Sequence, residues 1–270
     1  MSKYALPFLI TFLAGMTTVI GGLCSFFIKR DNSKVLSLGL GFSAGALIYV
    51  SFMELLRDSE RVLHSAFQEH IGGLILMVCF FSGMIITALI DYLMPSYCGI
   101  ETFEKNKDGH NHTHEGINKL YKAGIFLLIA ISVHKLPEGF AIFLGAQTHI
   151  ETAVALAFAV SIHNIPEGVS IALPVYYATG SKLKAVGATF LSGLVEPIGA
   201  LLGLLLLGQF FNDITYAIMF AFTAGIMIYV SFDSLLPMSR EYGDGHFSIF
   251  GVGIGMFLMM VLESLHVLFE

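Results

Sequence analysis

Apolar residues in this chain run in blocks of twenty or more, interrupted by short polar stretches such as Lys29 to Lys34 and Asn212 to Asp213. Bilayer hydrocarbon is about 30 Å thick and takes about 20 helical residues to cross. Cutting the chain at its polar interruptions gives eight such blocks, at 4–28, 35–56, 71–94, 120–146, 151–178, 183–208, 214–236 and 247–269. The pattern predicts an all-α, polytopic membrane protein with eight transmembrane helices, forming one transmembrane domain over residues 1–270. The first block follows Lys3 as a signal peptide would. It is long and lacks an A-x-A-like cleavage site, so it reads as a retained span.

Composition strengthens that reading. Of the 270 residues, 56% are hydrophobic and 13% charged, against about 25% charged in a soluble domain. A formal charge of -6 without a long Lys/Arg run excludes nucleic acid as a partner, because phosphate binding needs clustered cations. Cys24, Cys79 and Cys98 never form C-x-x-C, so neither a disulfide framework nor a thiolate metal knuckle is expected.

Basic residues concentrate in cytoplasmic loops. Loops one, three, five and seven carry Lys29, Arg30 and Lys34; Lys105, Lys107, Lys119 and Lys122; Lys182 and Lys184; and Arg240. The opposite side has only Lys3, Arg57 and Arg61. The expected location is therefore the plasma (inner) membrane, crossed many times, with both termini outside and loop 95–119 in the cytoplasm. No loop is long enough for a separate soluble domain, so function must sit among the helices.

The chain also repeats itself. GFSAGALIYVSFMELL at 41–56 matches AFTAGIMIYVSFDSLL at 221–236 at ten of sixteen positions, an offset of 180. SVHKLPEGF at 132–140 and SIHNIPEGV at 161–169 share S-x-H-x-x-P-E-G at an offset of 29. Each match joins an even-numbered span to an odd-numbered one, span two with seven and span four with five, so the copies run in opposite directions. Inverted repeats of this kind belong to transporters that hold substrate near the midplane and expose it to each side in turn.

Buried ionisable groups in hydrocarbon are costly unless paired or bound to a cation. Here they gather in three spans: His134, Lys135 and Glu138; His163, Asn164 and Glu167; and Glu196 beside Pro197. Residues four apart share a helix face, so His134 with Glu138 and His163 with Glu167 each form a two-point ligand set. Imidazole plus carboxylate suits zinc, iron or manganese better than calcium or magnesium, and zinc is the first choice. Pro137 and Pro166 withhold an N–H from the carbonyls of Val133 and Ile162, which predicts helices broken at the site.

The two H-x-x-P-E-G copies, with Glu196-Pro197 in an eight-span chain, resemble the ZIP family of divalent-metal transporters, near its bacterial ZupT-like branch. The resemblance covers essentially the whole chain. It implies import of a divalent metal into the cytoplasm, with His134, Glu138, His163 and Glu167 as primary ligands. It also implies a second, adjacent site from Asn164 and Glu196 that shares Glu138 and Glu167. The branch has Asn where this chain has Lys135. With one divalent ion the three carboxylates leave a charge of -1, which the Lys135 ammonium brings to zero. Lys135 is thus expected to stand in for a second ion, paired with Glu196 or a bridging Glu, or else to snorkel away.

Weaker signals are His110, His112 and His114 in D-G-H-N-H-T-H-E at 108–115, read equally as a metal-collecting tract or a solvated linker. Glu54 and Asp233 are candidate relays along the pathway, though solvation of helix ends explains them more simply. The expected partners are the transported Zn2+ or another divalent transition metal (iron, manganese, cadmium or cobalt) and the lipid bilayer. No cofactor and no enzymatic activity are expected, and a homodimer is left open. The rival function is an intramembrane metal-dependent hydrolase, but H-E-x-x-H is absent and a hydrolase gives no reason for antiparallel copies.

Overall fold

A computed structural model describes residues 4–27, 32–93, 114–148, 150–206, 212–243 and 245–269. Every regular element among them is helical. α1 is Ala5–Leu23, α2 Ser33–Val50, α3 Leu56–Ala66, α4 Glu69–Leu93, α5 His114–Thr148 and α6 Ile150–Thr179. α7 is Lys182–Gly193, α8 Val195–Leu206, α9 Asp213–Tyr229, α10 Leu236–Tyr242 and α11 Gly245–Phe269. Asn32 and Asn212, 180 residues apart, cap α2 and α9 in the same way, each side chain accepting from the backbone N–H three residues on.

Among the described residues, seven segments are long and apolar enough to cross a bilayer, at 5–26, 33–66, 69–93, 120–144, 182–205, 213–242 and 245–264. α6, also long enough at 30 residues, carries His163, Asn164, Glu167, Pro166 and Pro174. α4 and α11 turn large apolar residues outward, including Leu74, Val78, Ile85, Phe250 and Phe257. Such a surface is unfavourable in water and stable in lipid.

The interruptions differ from those expected. α5 and α6 remain continuous through Pro137 and Pro166. The glycine two residues after each proline lets a neighbouring helix press against the weakened turn: a Cβ on Gly139 would lie 2.0 Å from the Glu196 carbonyl oxygen, and one on Gly168 2.0 Å from that of Thr18. Packing on the flank supports what the missing hydrogen bond does not. The real irregularities are π-helical turns at Ser51–Leu55 and Val230–Leu235, at equivalent places in the long repeat, and the separation of α7 from α8 at Leu194. The latter has a local cause, since Pro197 cannot donate to the carbonyl of Gly193. Span two also runs on through α3 to Ala66, and helix α5 takes up the end of loop three from His114.

Helix contacts extend the repeat well beyond what the sequence matches. α2 packs on α11 and α9 on α4, while α1 packs on α6 and α8 on α5. A Cβ on Gly45 would lie 2.2 Å from the Val252 carbonyl oxygen, and one on its counterpart Gly225 2.0 Å from that of Phe80. Gly15 and Gly193 face each other: a Cβ on either would lie within 2.5 Å of the other's carbonyl oxygen. The chain thus has a pseudo-two-fold axis that exchanges α1 with α7–α8, α2–α3 with α9–α10, α4 with α11, and α5 with α6. Gly15 and Gly193 meet beside it. α5 and α6 are joined by a single residue and lie against each other, so the axis relates antiparallel helices.

A candidate metal centre on the pseudo-two-fold axis

The axis passes between the polar residues of α5 and α6. His134, Lys135, Glu138, His163, Asn164, Glu167 and Glu196 are all buried, none more than 1% exposed. His134 Nε2 lies 2.9 Å from Glu167 Oε1, and its symmetry mate His163 Nε2 lies 3.7 Å from Glu138 Oε1. Each histidine therefore meets the glutamate of the opposite helix. The reason is geometric, since residues four apart line one helix face and two such faces in antiparallel contact cross-pair.

Donor atoms of His134, Glu138 and Glu167 all lie within 4.8 Å of one another, the one such group of three among the described residues. A tetrahedral ion with bonds of about 2.0–2.2 Å spaces its donors about 3.5 Å apart, so a modest side-chain adjustment closes this group on one ion. His163 adjoins it through Glu138. Both oxygens of Glu138 and both ring nitrogens of His163 are buried without a hydrogen-bond partner, as is Nδ1 of His134. Buried groups of this kind are costly unless something satisfies them, and a carboxylate facing two imidazoles is a donor set for a borderline divalent cation.

The Lys135 ammonium sits where the repeat has Asn164 on the other side of the axis, and the two side chains meet, Lys135 donating to Asn164 Oδ1. The ammonium also lies 2.7 Å from Glu167 Oε2 and 3.0 Å from Glu196 Oε1. It is 0% exposed, so it stays at the site and does not snorkel. Both pairings anticipated for it, to Glu196 and to a bridging carboxylate, are present at once. Asn164 Nδ2 donates to Glu196 Oε1 at 2.7 Å and to the Ala14 carbonyl oxygen at 2.9 Å.

α1 is the part of the site that sequence reasoning missed. Its Ala14 carbonyl fixes Asn164, and a Cβ on Gly15 would crowd Glu196, 3.3 Å from Oε2. The signal available was the run of small residues in that span, which reads only as close packing until a neighbour is known. Glu196 stands in the first turn of α8, directly beyond the break at Leu194.

The other candidates lie on neighbouring elements, Glu54 within electrostatic reach of His163 and Glu138. Glu54 falls in the π-helical turn Ser51–Leu55 and Asp233 in its counterpart Val230–Leu235. Near them the Tyr49 hydroxyl donates to Glu263 at 2.6 Å and its symmetry mate Tyr229 to Asp91 at 3.3 Å. Of the loop histidines, His110 and His112 lie outside the described residues; His114 opens α5 and its side chain is not among those described.

A helical bundle that buries paired histidines and glutamates on an internal two-fold axis belongs to the class of polytopic membrane transporters of cations. The family model for the ZIP zinc transporters matches residues 3–121 and 99–263. A protein named zinc transporter ZupT from Clostridium perfringens is 42% identical over 273 residues, covering 97% of this chain and 96% of its own. Namesakes from Streptococcus mutans and Campylobacter jejuni are 43% and 41% identical, covering 94% and 95% of this chain and 95% of each relative. The chain belongs to the ZIP family, a family of transporters and not of enzymes. The hydrolase alternative finds no support.

Proposed function

We propose that this protein carries a divalent transition metal, zinc first among them, across the plasma (inner) membrane into the cytoplasm. The observation that carries the reading is the set of unpartnered donors on Glu138, His163 and His134, buried on the axis that relates the two halves of the bundle. The relatives' name, zinc transporter, favours zinc over iron, manganese, cadmium or cobalt. His134, Glu138, His163 and Glu167 take the ion as it sheds its water. Exchange of the two half-bundles' packing then exposes it to the opposite side, because a site on the symmetry axis keeps the same ligands in either arrangement.

Lys135 holds the place of a second ion. Three carboxylates and one ammonium sum to -2, which one divalent ion neutralises. Asn164 and Glu196 thus anchor the ammonium here and leave the metal to the histidine side. Eight crossings with α6 as the polar, innermost one, both termini outside and loop 95–119 in the cytoplasm follow from the distribution of Lys and Arg. The chain then works as one transmembrane domain, with Glu54 and Asp233 beside the route.

The test is uptake into proteoliposomes loaded with a metal-responsive dye and supplied with zinc, iron, manganese, cadmium or cobalt. Zinc flux is expected in the parent protein and not in a His134→Ala/Glu138→Ala variant. Uptake that persists in that variant would remove these residues from the site.

A further inference from the structure

The pseudo-symmetry is closely kept at one buried pair of hydroxyls and broken at another. Ser51 and Ser231 are equivalent, and each donates to the carbonyl four residues back, Leu47 and Met227, at 2.7 Å. Ser43 instead reaches across to α6 and donates to the Pro166 carbonyl oxygen at 2.7 Å, in a fully buried contact. Its counterpart is Thr223 on α9, and the counterpart of Pro166 is Pro137. Thr223 Oγ1 is buried and makes no hydrogen bond. An unpaired buried hydroxyl is unfavourable, so a bond made in another arrangement would relieve it.

The surrounding packing breaks symmetry in the same sense. A Cβ on Gly39 would lie 2.4 Å from Leu173 Cδ1, so α2 lies flush on α6. Gly39 has Met219 as its counterpart, and Met219 packs against the cluster that contains Phe140 and Leu144, the counterparts of Val169 and Leu173. A glycine seats one helix closely, and a methionine spaces the other away. Pro166 and Pro137 each immediately precede a ligand glutamate, Glu167 and Glu138.

We infer that Ser43 and Thr223 are alternating positioning residues for transport. Ser43 ties α2 to the Pro166 turn when one half of the bundle is closed, and Thr223 ties α9 to the Pro137 turn when the opposite half is closed. The structure holds the Ser43 tether engaged. With both termini outside, as proposed above, Ser43 closes the cytoplasmic half and Thr223 the outer half. Each tether acts through the carbonyl next to a glutamate, so closure of one half fixes one carboxylate and releases the other. The inference rests on the transporter reading for its purpose, and its test needs no metal flux.

The full chain, with Cys24, Cys79 and Cys98 replaced by Ser, is given one of two cysteine pairs: Gly39→Cys with Leu173→Cys, or Met219→Cys with Leu144→Cys. Disulfide formation in metal-free membranes then reports closure of each half. The first pair is expected to cross-link in excess over the second. Ser43→Ala should lower that ratio about fivefold, the equivalent of one ordinary hydrogen bond, and Ser43→Thr should restore it. Thr223→Val, nearly isosteric and with no bond to lose in this state, should raise the ratio by a similar factor and carries the test alone if Ser43→Ala fails to fold. A ratio unmoved by the substitutions, or moved in one direction by both, overturns the inference. Failure of the parent protein to take up metal in liposomes would defeat the transporter reading and leave this ratio to judge the tethers by themselves.

Discussion

Replacing Lys135 by Asn restores the residue that the repeat has at Asn164 and removes the one cation from the buried cluster. At an effective dielectric constant of about 20, unit charges at 2.7 and 3.0 Å attract by roughly 6 kcal/mol each before desolvation is counted. Burying the ammonium and its partners offsets most of that. Deleting one member of a buried pair nevertheless costs about 3–5 kcal/mol, because the remaining charges are left uncompensated. Metal-free Lys135→Asn protein should therefore unfold at lower denaturant than the parent by that free energy. Its cluster then carries -3, with Asn164, Glu167 and Glu196 free to ligate, so a second divalent ion fits where the ammonium was. Elemental analysis of purified protein should find one tightly bound ion per chain in the parent and two in Lys135→Asn, and zinc should recover most of the lost stability in the variant. Lys135→Met, which removes the charge and supplies no oxygen or nitrogen ligand, should be destabilised alike but stay at one ion. Two tightly bound ions in the parent, or an equally stable Lys135→Asn that binds one, would refute the substitution of ammonium for metal.

Uptake should fall as the pH drops from 7.5 to 5.5, because protons compete with the ion for imidazole and carboxylate and the metal binds only their deprotonated forms; zinc flux at the two pH values checks this. Gly15→Ala and Gly193→Ala each place a methyl group within 2.5 Å of a facing carbonyl oxygen, and each should destabilise the protein by about 1–3 kcal/mol. Because the two residues meet each other, the double variant should lose less than the sum of the single effects, as read from denaturation in detergent. Deleting residues 108–115 should raise the zinc concentration needed for half-maximal uptake without abolishing transport, and complete loss of flux would show that the loop histidines are part of the route.

Hydrophobic block length alone made the helices legible, because lipid obliges the backbone to satisfy its own hydrogen bonds and leaves helix as the only solution for these blocks. The candidate site residues were equally plain, since a charged or imidazole side chain in a hydrocarbon span must have a reason to be there. Other features depended on neighbours distant in the chain. The symmetry of spans one with six and three with eight is nearly invisible in sequence, because lipid-facing positions accept any apolar residue; the pairing of helices and the backbone approaches at Gly15 with Gly193, at Gly45 and at Gly225 display it. Continuous helices through Pro137 and Pro166 could not be foreseen from local propensity, which predicts a break, because the support comes from α8 and α1 pressed against Gly139 and Gly168.

The cross-pairing of each histidine with the opposite helix's glutamate, the Ala14 carbonyl behind Asn164, and the placing of Lys135 between Glu167 and Glu196 were likewise settled by packing. Sequence by itself determined which groups had to be buried, through the cost of leaving them in lipid. Tertiary structure decided which of them meet, because a side chain's partner depends on the relative position of helices, and that position is fixed by close contacts between residues far apart in the chain.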